Sequence, residues 1–221
     1  MKLEKFLRNI ASGFTLGLMI IIQGCEKPGM FTEMSPDETG IVFSNVITED
    51  GHNNIMTYEY TYNGAGVAVG DLNNDGLTDI YFIGNQVPNK LFLNLGDWKF
   101  EEVTLQAGLQ GRNDWNTGVS LVDINGDGWL DIYVSYSGNA PSEGYNKAIV
   151  KEYSSRSNQL FINDGGKKGG TPTFTERAHE YGVDARGTFT SQAYFFDSDL
   201  DGDLDMFLLN HANMFYSAFF N

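Results

Sequence analysis

Residues 66–83 read Gly66-Val-Ala-Val-Gly-Asp71-Leu-Asn73-Asn-Asp75-Gly76-Leu-Thr-Asp79-Ile-Tyr-Phe-Ile83. Two short apolar runs flank a turn. The turn places oxygen-bearing side chains at positions 1, 3, 5 and 9, with glycine at position 6. The pattern returns 52 residues later as Gly118-Val-Ser-Leu-Val-Asp123-Ile-Asn125-Gly-Asp127-Gly128-Trp-Leu-Asp131-Ile-Tyr-Val134. After a further 74 residues it returns as Ala193-Tyr-Phe-Phe-Asp197-Ser-Asp199-Leu-Asp201-Gly202-Asp-Leu-Asp205-Met-Phe-Leu-Leu209.

A second element follows the first two copies. It reads Asn89-Lys-Leu-Phe-Leu-Asn94-Leu-Gly96, then Phe100-Glu-Glu-Val-Thr104 and Ala107-Gly-Leu109. Its partner reads Asn158-Gln-Leu-Phe-Ile-Asn163-Asp-Gly165, then Phe174-Thr-Glu-Arg-Ala178 and Tyr181-Gly-Val183. Each unit is therefore four short apolar runs split by Gly/Asn/Asp turns. Four strands per unit at this period predict an all-β fold of β-propeller blades, each a four-stranded antiparallel sheet. About two and a half blades are present. The runs are continuous rather than alternating, which suits strands buried on both faces. Helical signals are scarce, and Thr104 to Leu109 allows one turn at most.

The turns point to a cation. The chain curls around a point, with Asp71, Asn73, Asp75 and Asp79 of the first loop turned inward. Asp123, Asn125, Asp127 and Asp131 do the same in the second. The third carries Asp197, Asp199, Asp201 and Asp205. Position 7 offers a backbone carbonyl, so its side chain varies: Leu77, Trp129, Asp203. Six or seven hard oxygens suit Ca²⁺, whereas Mg²⁺ demands a stricter octahedron. An EF-hand needs a bidentate glutamate at position 12, where this chain has Phe82, Val134 and Leu208. The three loops contain eleven aspartates, whose repulsion a divalent ion relieves. Solvated Asx-turns are the simpler alternative for one such loop, but three in register between apolar strands favour metal.

These motifs resemble the FG-GAP/VCBS repeat family. Within it, the chain is similar to bacterial lipoproteins of the ASPIC/UnbV and cartilage-acidic-protein group. The resemblance covers about residues 40–221. It implies a β-propeller, often seven-bladed and related to the integrin α-subunit head. It also implies calcium in the loop between the first two strands of each blade. A closed ring needs about four blades or more, so the chain is expected to be an N-terminal piece of a longer protein.

Lys2, Lys5 and Arg8 precede thirteen uncharged, mostly apolar residues, Ile10 to Ile22. That run is short for a bilayer span and fits an export signal. Ile22-Gln-Gly-Cys25 resembles the lipobox of bacterial lipoproteins, with Cys25 as the lipidated residue. It is the chain's one cysteine, which excludes an internal disulfide. The expected organisation is a signal peptide at 1–24, a tether at 25–39 and N-terminal strands at 40–65. Repeat 1 then spans 66–117, repeat 2 spans 118–190 with an inserted loop at 137–157, and an incomplete repeat 3 spans 191–221.

The 221 residues carry 29 acidic and 14 basic side chains. Loss of residues 1–24 leaves 28 acids against 11 bases, a net charge of −17. So acidic a chain repels phosphate backbones, so nucleic acid is excluded as a partner. Lys147, Lys151 and Arg156 give the inserted loop local positive charge, suited to a partner contact or to simple solvation. Trp98, Trp115 and Trp129 are read as core or blade-edge residues rather than sugar-stacking platforms. His52, His179 and His211 lack zinc spacing, and no nucleophile elbow or phosphate loop is present. The expected function is a calcium-stabilised, non-enzymatic scaffold. It is anchored by lipid at the bacterial outer membrane or cell surface and binds a protein or glycan there. The alternative is the propeller part of a polysaccharide-related enzyme whose catalytic region lies outside this chain.

Overall fold

The computed structural model describes residues 29–51, 54–56, 58–112, 114–138 and 156–211. The chain divides into two units, Met1–Ser35 and Pro36–Asn221. Of the first unit, residues 29–35 are described; they are exposed and form neither helix nor strand. The expected signal peptide at 1–24 and the expected lipidation site Cys25 lie outside the described residues, as do 139–155 of the expected inserted loop and residues 212–221.

In the second unit, a turn of helix, α1 (Pro36–Thr39), precedes the sheets. Strands β1 (Gly66–Gly70), β2 (Asp79–Ile83), β3 (Lys90–Asn94) and β4 (Phe100–Glu102) form one antiparallel sheet in sequential order. A single helical turn, α2 (Thr104–Ala107), leads to the second sheet. That sheet contains β5 (Asn116–Val122), β6 (Asp131–Tyr136), β7 (Gln159–Asn163) and β8 (Phe174–Glu176), again in sequential order. Strands β9 (Thr190–Phe196) and β10 (Asp205–Asn210) pair as a third, two-stranded sheet. Each acidic turn closes the hairpin between a blade's first two strands: Gly70 pairs with Asp79, Val122 with Asp131 and Phe196 with Asp205. The fold is two propeller blades and the first half of a third.

Side chains alternate across each strand, and this sends blade 2 in two directions. Ile132, Val134, Tyr136 and Phe161 pack against Tyr81, Ile83, Leu91 and Leu93 of blade 1. Tyr133, Leu160 and Ile162 pack against Ala193, Phe195, Met206 and Leu208 of blade 3. Every residue of β6 and β7 is consequently buried, as the continuous apolar runs predict. The outer blades each have one such neighbour among the described residues, and burial alternates along β1 and β2 instead. Val67 and Val69 of β1 are exposed, as are Tyr194, Phe196, Phe207 and Leu209 of blade 3. The innermost strands approach closely. A Cβ added at Gly118 of β5 would lie 2.4 Å from the Ser191 carbonyl oxygen of β9. Only glycine fits there.

Residues 40–65 differ from the expectation of N-terminal strands: among the described residues they form none. Side-chain bonds hold this segment in place of a backbone ladder. Asn45 donates to Asn85 Oδ1 at 2.7 Å and accepts from the Asn85 N–H at 2.9 Å, and the Thr48 N–H reaches Gln86 Oε1 at 2.6 Å. Phe43 stacks on Phe82 at 4.8 Å, covering part of blade 1's outer face. The expected tether also ends early. Residues 36–39 are helical, Thr39 is buried, and Lys99 Nζ donates to the Glu38 carbonyl.

At the end of blades 1 and 2 away from the acidic turns, one lock recurs. Asn89 Oδ1 accepts the Gly84 N–H at 3.1 Å, and its amide donates to the Tyr81 hydroxyl at 2.9 Å. That hydroxyl donates to the Leu109 carbonyl at 2.8 Å. In blade 2, Asn158 Oδ1 accepts the Tyr136 N–H at 2.9 Å, and its amide donates to the Tyr133 hydroxyl at 2.9 Å. Tyr133 in turn donates to the Val183 carbonyl at 2.7 Å. Three separate motif pieces thus meet: the Ile-Tyr of the second strand, the Asn that opens the third and the tail after the fourth. Both tyrosines are fully buried, and burial raises both hydroxyl pKa values. Removal of one hydroxyl leaves a buried amide and carbonyl short of partners. Tyr133→Phe is therefore expected to cost about 1–3 kcal/mol in a denaturant melt. Asn158→Ala added to it should cost less than the sum of the two single changes, because both act on one network.

Candidate metal centre

The loops at 71–79 and 123–131 are wired identically. Asp71 Oδ1 accepts the Asp75 N–H at 3.0 Å, and its Oδ2 accepts the Gly76 N–H at 2.8 Å. Asp123 does the same for Asp127 and Gly128, at 3.0 and 2.8 Å. The position-5 carboxylate accepts the position-7 N–H: Leu77 to Asp75 at 2.7 Å, Trp129 to Asp127 at 2.8 Å. The position-3 amide bridges back to the same carboxylate, from Asn73 to Asp75 Oδ2 at 3.1 Å and from Asn125 to Asp127 Oδ2 at 2.9 Å. Carboxylates at positions 1 and 5 are thus both held by N–H groups of one short curl of backbone.

The backbone bends twice to do this. Position 6 is Gly76, Gly128 and Gly202, with φ of 89°, 86° and 96°. Position 4 is also left-handed: Asn74 at 56°, Gly126 at 71° and Leu200 at 65°. Asparagine and glycine adopt this conformation readily, whereas leucine is strained there. Leu200 is nevertheless held in it, 87% exposed, by the same loop geometry.

Asp79 and Asp131, at position 9, are completely buried. Asp79 Oδ2 accepts the Leu72 N–H at 2.9 Å and Oδ1 accepts the Asn94 N–H at 2.9 Å. Asp131 repeats this with Ile124 at 3.0 Å and Asn163 at 2.8 Å. Each thus joins its loop to the blade's third strand, a role beyond closing the turn. Burial pushes both pKa values up to about 6, against the pull of the two N–H donors, with the neighbouring loop aspartates adding to the rise. Asp205 behaves oppositely. It is half-buried, accepts from the Ser198 hydroxyl and N–H, and those bonds lower its pKa.

The third loop is the most acidic. Asp197 accepts the Asp201 and Gly202 N–H groups at 3.2 and 3.0 Å, as in the other loops. Position 3 is Asp199 in place of asparagine, so no amide separates it from Asp201. Asp197, Asp199 and Asp201 can each bring a carboxylate oxygen within 4.8 Å of the other two. Asp203, exposed, is pushed up by a hydrogen bond to the Asp201 carboxyl and by its charge. An all-oxygen, mostly anionic donor set on a short arc fits a hard divalent cation with a flexible shell. Asp71, Asn73, Asp75 and Asp79 would hold it in loop 1, with the Leu77 carbonyl. The corresponding residues would do so in loops 2 and 3.

Other sequence candidates fall elsewhere. Arg156 does not supply an outward charge: it is buried, with its guanidinium 4.4 Å over the Phe189 ring. Lys147 and Lys151 lie outside the described residues. Trp98 stands 67% exposed at the tip of the β3–β4 hairpin, Trp115 lies edge-on to Tyr58 at 5.5 Å, and Trp129 is half-buried. His179 sits at the surface beside Asp184 and Arg186.

Residues 71–134 match the FG-GAP-like repeat family. The chain is 38% identical over 99 residues to cartilage acidic protein 1 of Xenopus tropicalis, covering 44% of this chain and 14% of that protein. It is 31% identical over 112 residues to human cartilage acidic protein 1, covering 50% and 17%. It is 28% identical over 159 residues to integrin alpha-4 of Xenopus laevis, covering 66% and 14%. The chain thus spans about a sixth or less of the length of these relatives. Among the described residues, no helix is long and apolar enough to cross a membrane.

The raised position-9 pKa values set the sign of a pH dependence. A carboxyl with a native pKa of about 6 and an unfolded value near 3.8 binds more protons in the folded state between those limits. In chelator, the melting temperature should fall as pH rises from about 4 to about 6. A profile that is flat or rising over that window contradicts this assignment. Asp131→Asn keeps the shape but turns an NH₂ toward one N–H donor. It should destabilise by about 1–3 kcal/mol with or without calcium.

Proposed function

We propose that this chain is a calcium-stabilised, lipid-anchored, exported propeller segment that serves as a non-enzymatic interaction scaffold. The observation that carries the calcium reading is the repeated wiring of the loops. The same carboxylates meet the same backbone N–H groups at the same turn positions, and the third loop converges three aspartates. Eleven loop aspartates in a chain of net charge −15 repel one another, and a bound divalent ion offsets that cost. Ion binding then adds directly to folding stability. An affinity of roughly 0.1–1 mM is typical of extracellular calcium modules and suits an exported protein.

The export and anchor reading rests on the sequence: Lys2, Lys5 and Arg8, the apolar run and Cys25. The scaffold reading is supported by the match of 71–134 to the FG-GAP-like repeat and by the similarity to integrin alpha-4. A protein or glycan at the cell surface is the partner class. The hairpin tip bearing the exposed Trp98 is a surface available to it.

Chelator-stripped protein returned to millimolar calcium should gain several degrees in melting temperature, and Asp75→Ala and Asp127→Ala should each reduce the gain. Identical melts for all three proteins with and without calcium would dismiss the calcium role. For the anchor, Cys25→Ser should move the protein from the membrane fraction to the soluble one. Unchanged partitioning would dismiss lipidation.

A further inference from the structure

Asn85, Asn89 and Asn116 join blades 1 and 2 at one end, and at the other end the hydrogen bonds between the blades run through the acidic loops. Asn74, at position 4 of loop 1, donates its side-chain amide to the Gly128 carbonyl of loop 2 at 3.0 Å. That carbonyl belongs to the Gly128–Trp129 peptide, whose N–H holds Asp127 Oδ1 at 2.8 Å. A non-ligand of the first loop therefore orients the peptide that fixes a ligand of the second. Two links return. The Asn163 N–H holds Asp131 Oδ1 of loop 2 at 2.8 Å, while its side-chain amide donates to the Leu72 carbonyl of loop 1 at 3.0 Å. The Gly169 N–H, on the β7–β8 hairpin, reaches the Asn73 carbonyl at 2.9 Å, beside a candidate ligand of loop 1.

We propose that the loops at 71–79 and 123–131 act as one coupled ion-binding unit, with Asn74 as the positioning residue that joins them. The proposal rests on the calcium reading above. Ordering either loop around an ion fixes peptides that the other loop needs fixed, so the second ion binds to a site whose ordering cost is already met. The coupling is reciprocal by thermodynamic necessity. It is also local in sequence: the residues equivalent to Asn74 are Gly126 and Leu200, neither of which has a side-chain donor.

The left-handed backbone at Asn74, φ 56°, makes Asn74→Gly a clean test, because glycine accepts that conformation and only the amide is lost. Terbium serves as the probe in the intact protein. The emission that Trp129→Phe removes and that survives at saturation in Asp75→Ala reports loop 2, since Trp129 is that loop's own position 7. In Asn74→Gly, the terbium concentration at half-saturation of that signal should rise about three- to tenfold. Asp75→Ala, which disables loop 1 without touching loop 2, should shift the same signal in the same direction. Superimposable loop-2 titrations for wild type and Asn74→Gly overturn the coupling while leaving calcium binding intact. A shift in Asn74→Gly with none in Asp75→Ala also overturns it, since the amide would then merely support loop 2. Wild-type protein with no saturable, calcium-displaceable emission overturns the calcium reading and the coupling together.

Discussion

A carboxylate that is sealed from water must have both oxygens occupied, and Asp79 and Asp131 meet that demand with backbone N–H groups from two different pieces of chain. One oxygen takes the start of the acidic loop and the other takes the end of the third strand. The loop, the hairpin it closes and the neighbouring strand are thereby held in one relation. Everything else at that end of the blade inherits its position: the curl that holds the carboxylates at positions 1 and 5, and the asparagine that reaches the preceding blade. The opposite end is fixed by the Asn–Tyr lock, again through buried polar atoms that would be costly if unpaired. The apolar core between these two ends supplies the larger share of burial, and its alternation sets register together with the turns.

Burial is distributed unevenly along the chain. Blade 2 is packed on both faces, while blades 1 and 3 each show one face with exposed valine, phenylalanine or leucine. Blade 3 has no third strand among the described residues, and Asp205 is more open than Asp79 and Asp131. The Ser198 hydroxyl and N–H hold its pKa below the usual value, where burial raises the other two. Local opening should be cheapest at β9–β10 and dearest at β6–β7.

Much of this architecture can be read from the residues. The Gly-Asp-x-Asn-x-Asp-Gly-x-x-Asp turn and its two echoes identify the hairpins, and the apolar runs beside them identify the strands. Asp197, Asp199 and Asp201 lie together, because a short curl with left-handed positions leaves little freedom. What is not legible depends on contacts between units that are distant in the sequence. The buried state of Asp79 cannot be told from its neighbours, since a third strand ending at Asn94 creates it. Asn89 and Tyr81 stand out as repeated residues, but their shared lock needs the sheet to bring them together. The turn of helix at 36–39 is too short to leave a period. The strandless course of 40–65 follows from polar side-chain bonds that no hydrophobic pattern announces. Arg156 misleads because a cation in a polar insertion normally faces solvent, and here Phe189 receives it.

The links from Asn163 and Gly169 back to the preceding loop have a bearing on how such a chain can be enlarged or shortened. If gene duplication copied one sheet alone, it would copy a turn without the hairpin that steadies it. The module that keeps the turn at 71–79 supported thus extends beyond the visible sheet, to the glycine-rich hairpin of the next blade. Excisions or fusions cut between β4 and β5 would divide that module, and cuts placed after residue 173 would keep the turn at 71–79 whole.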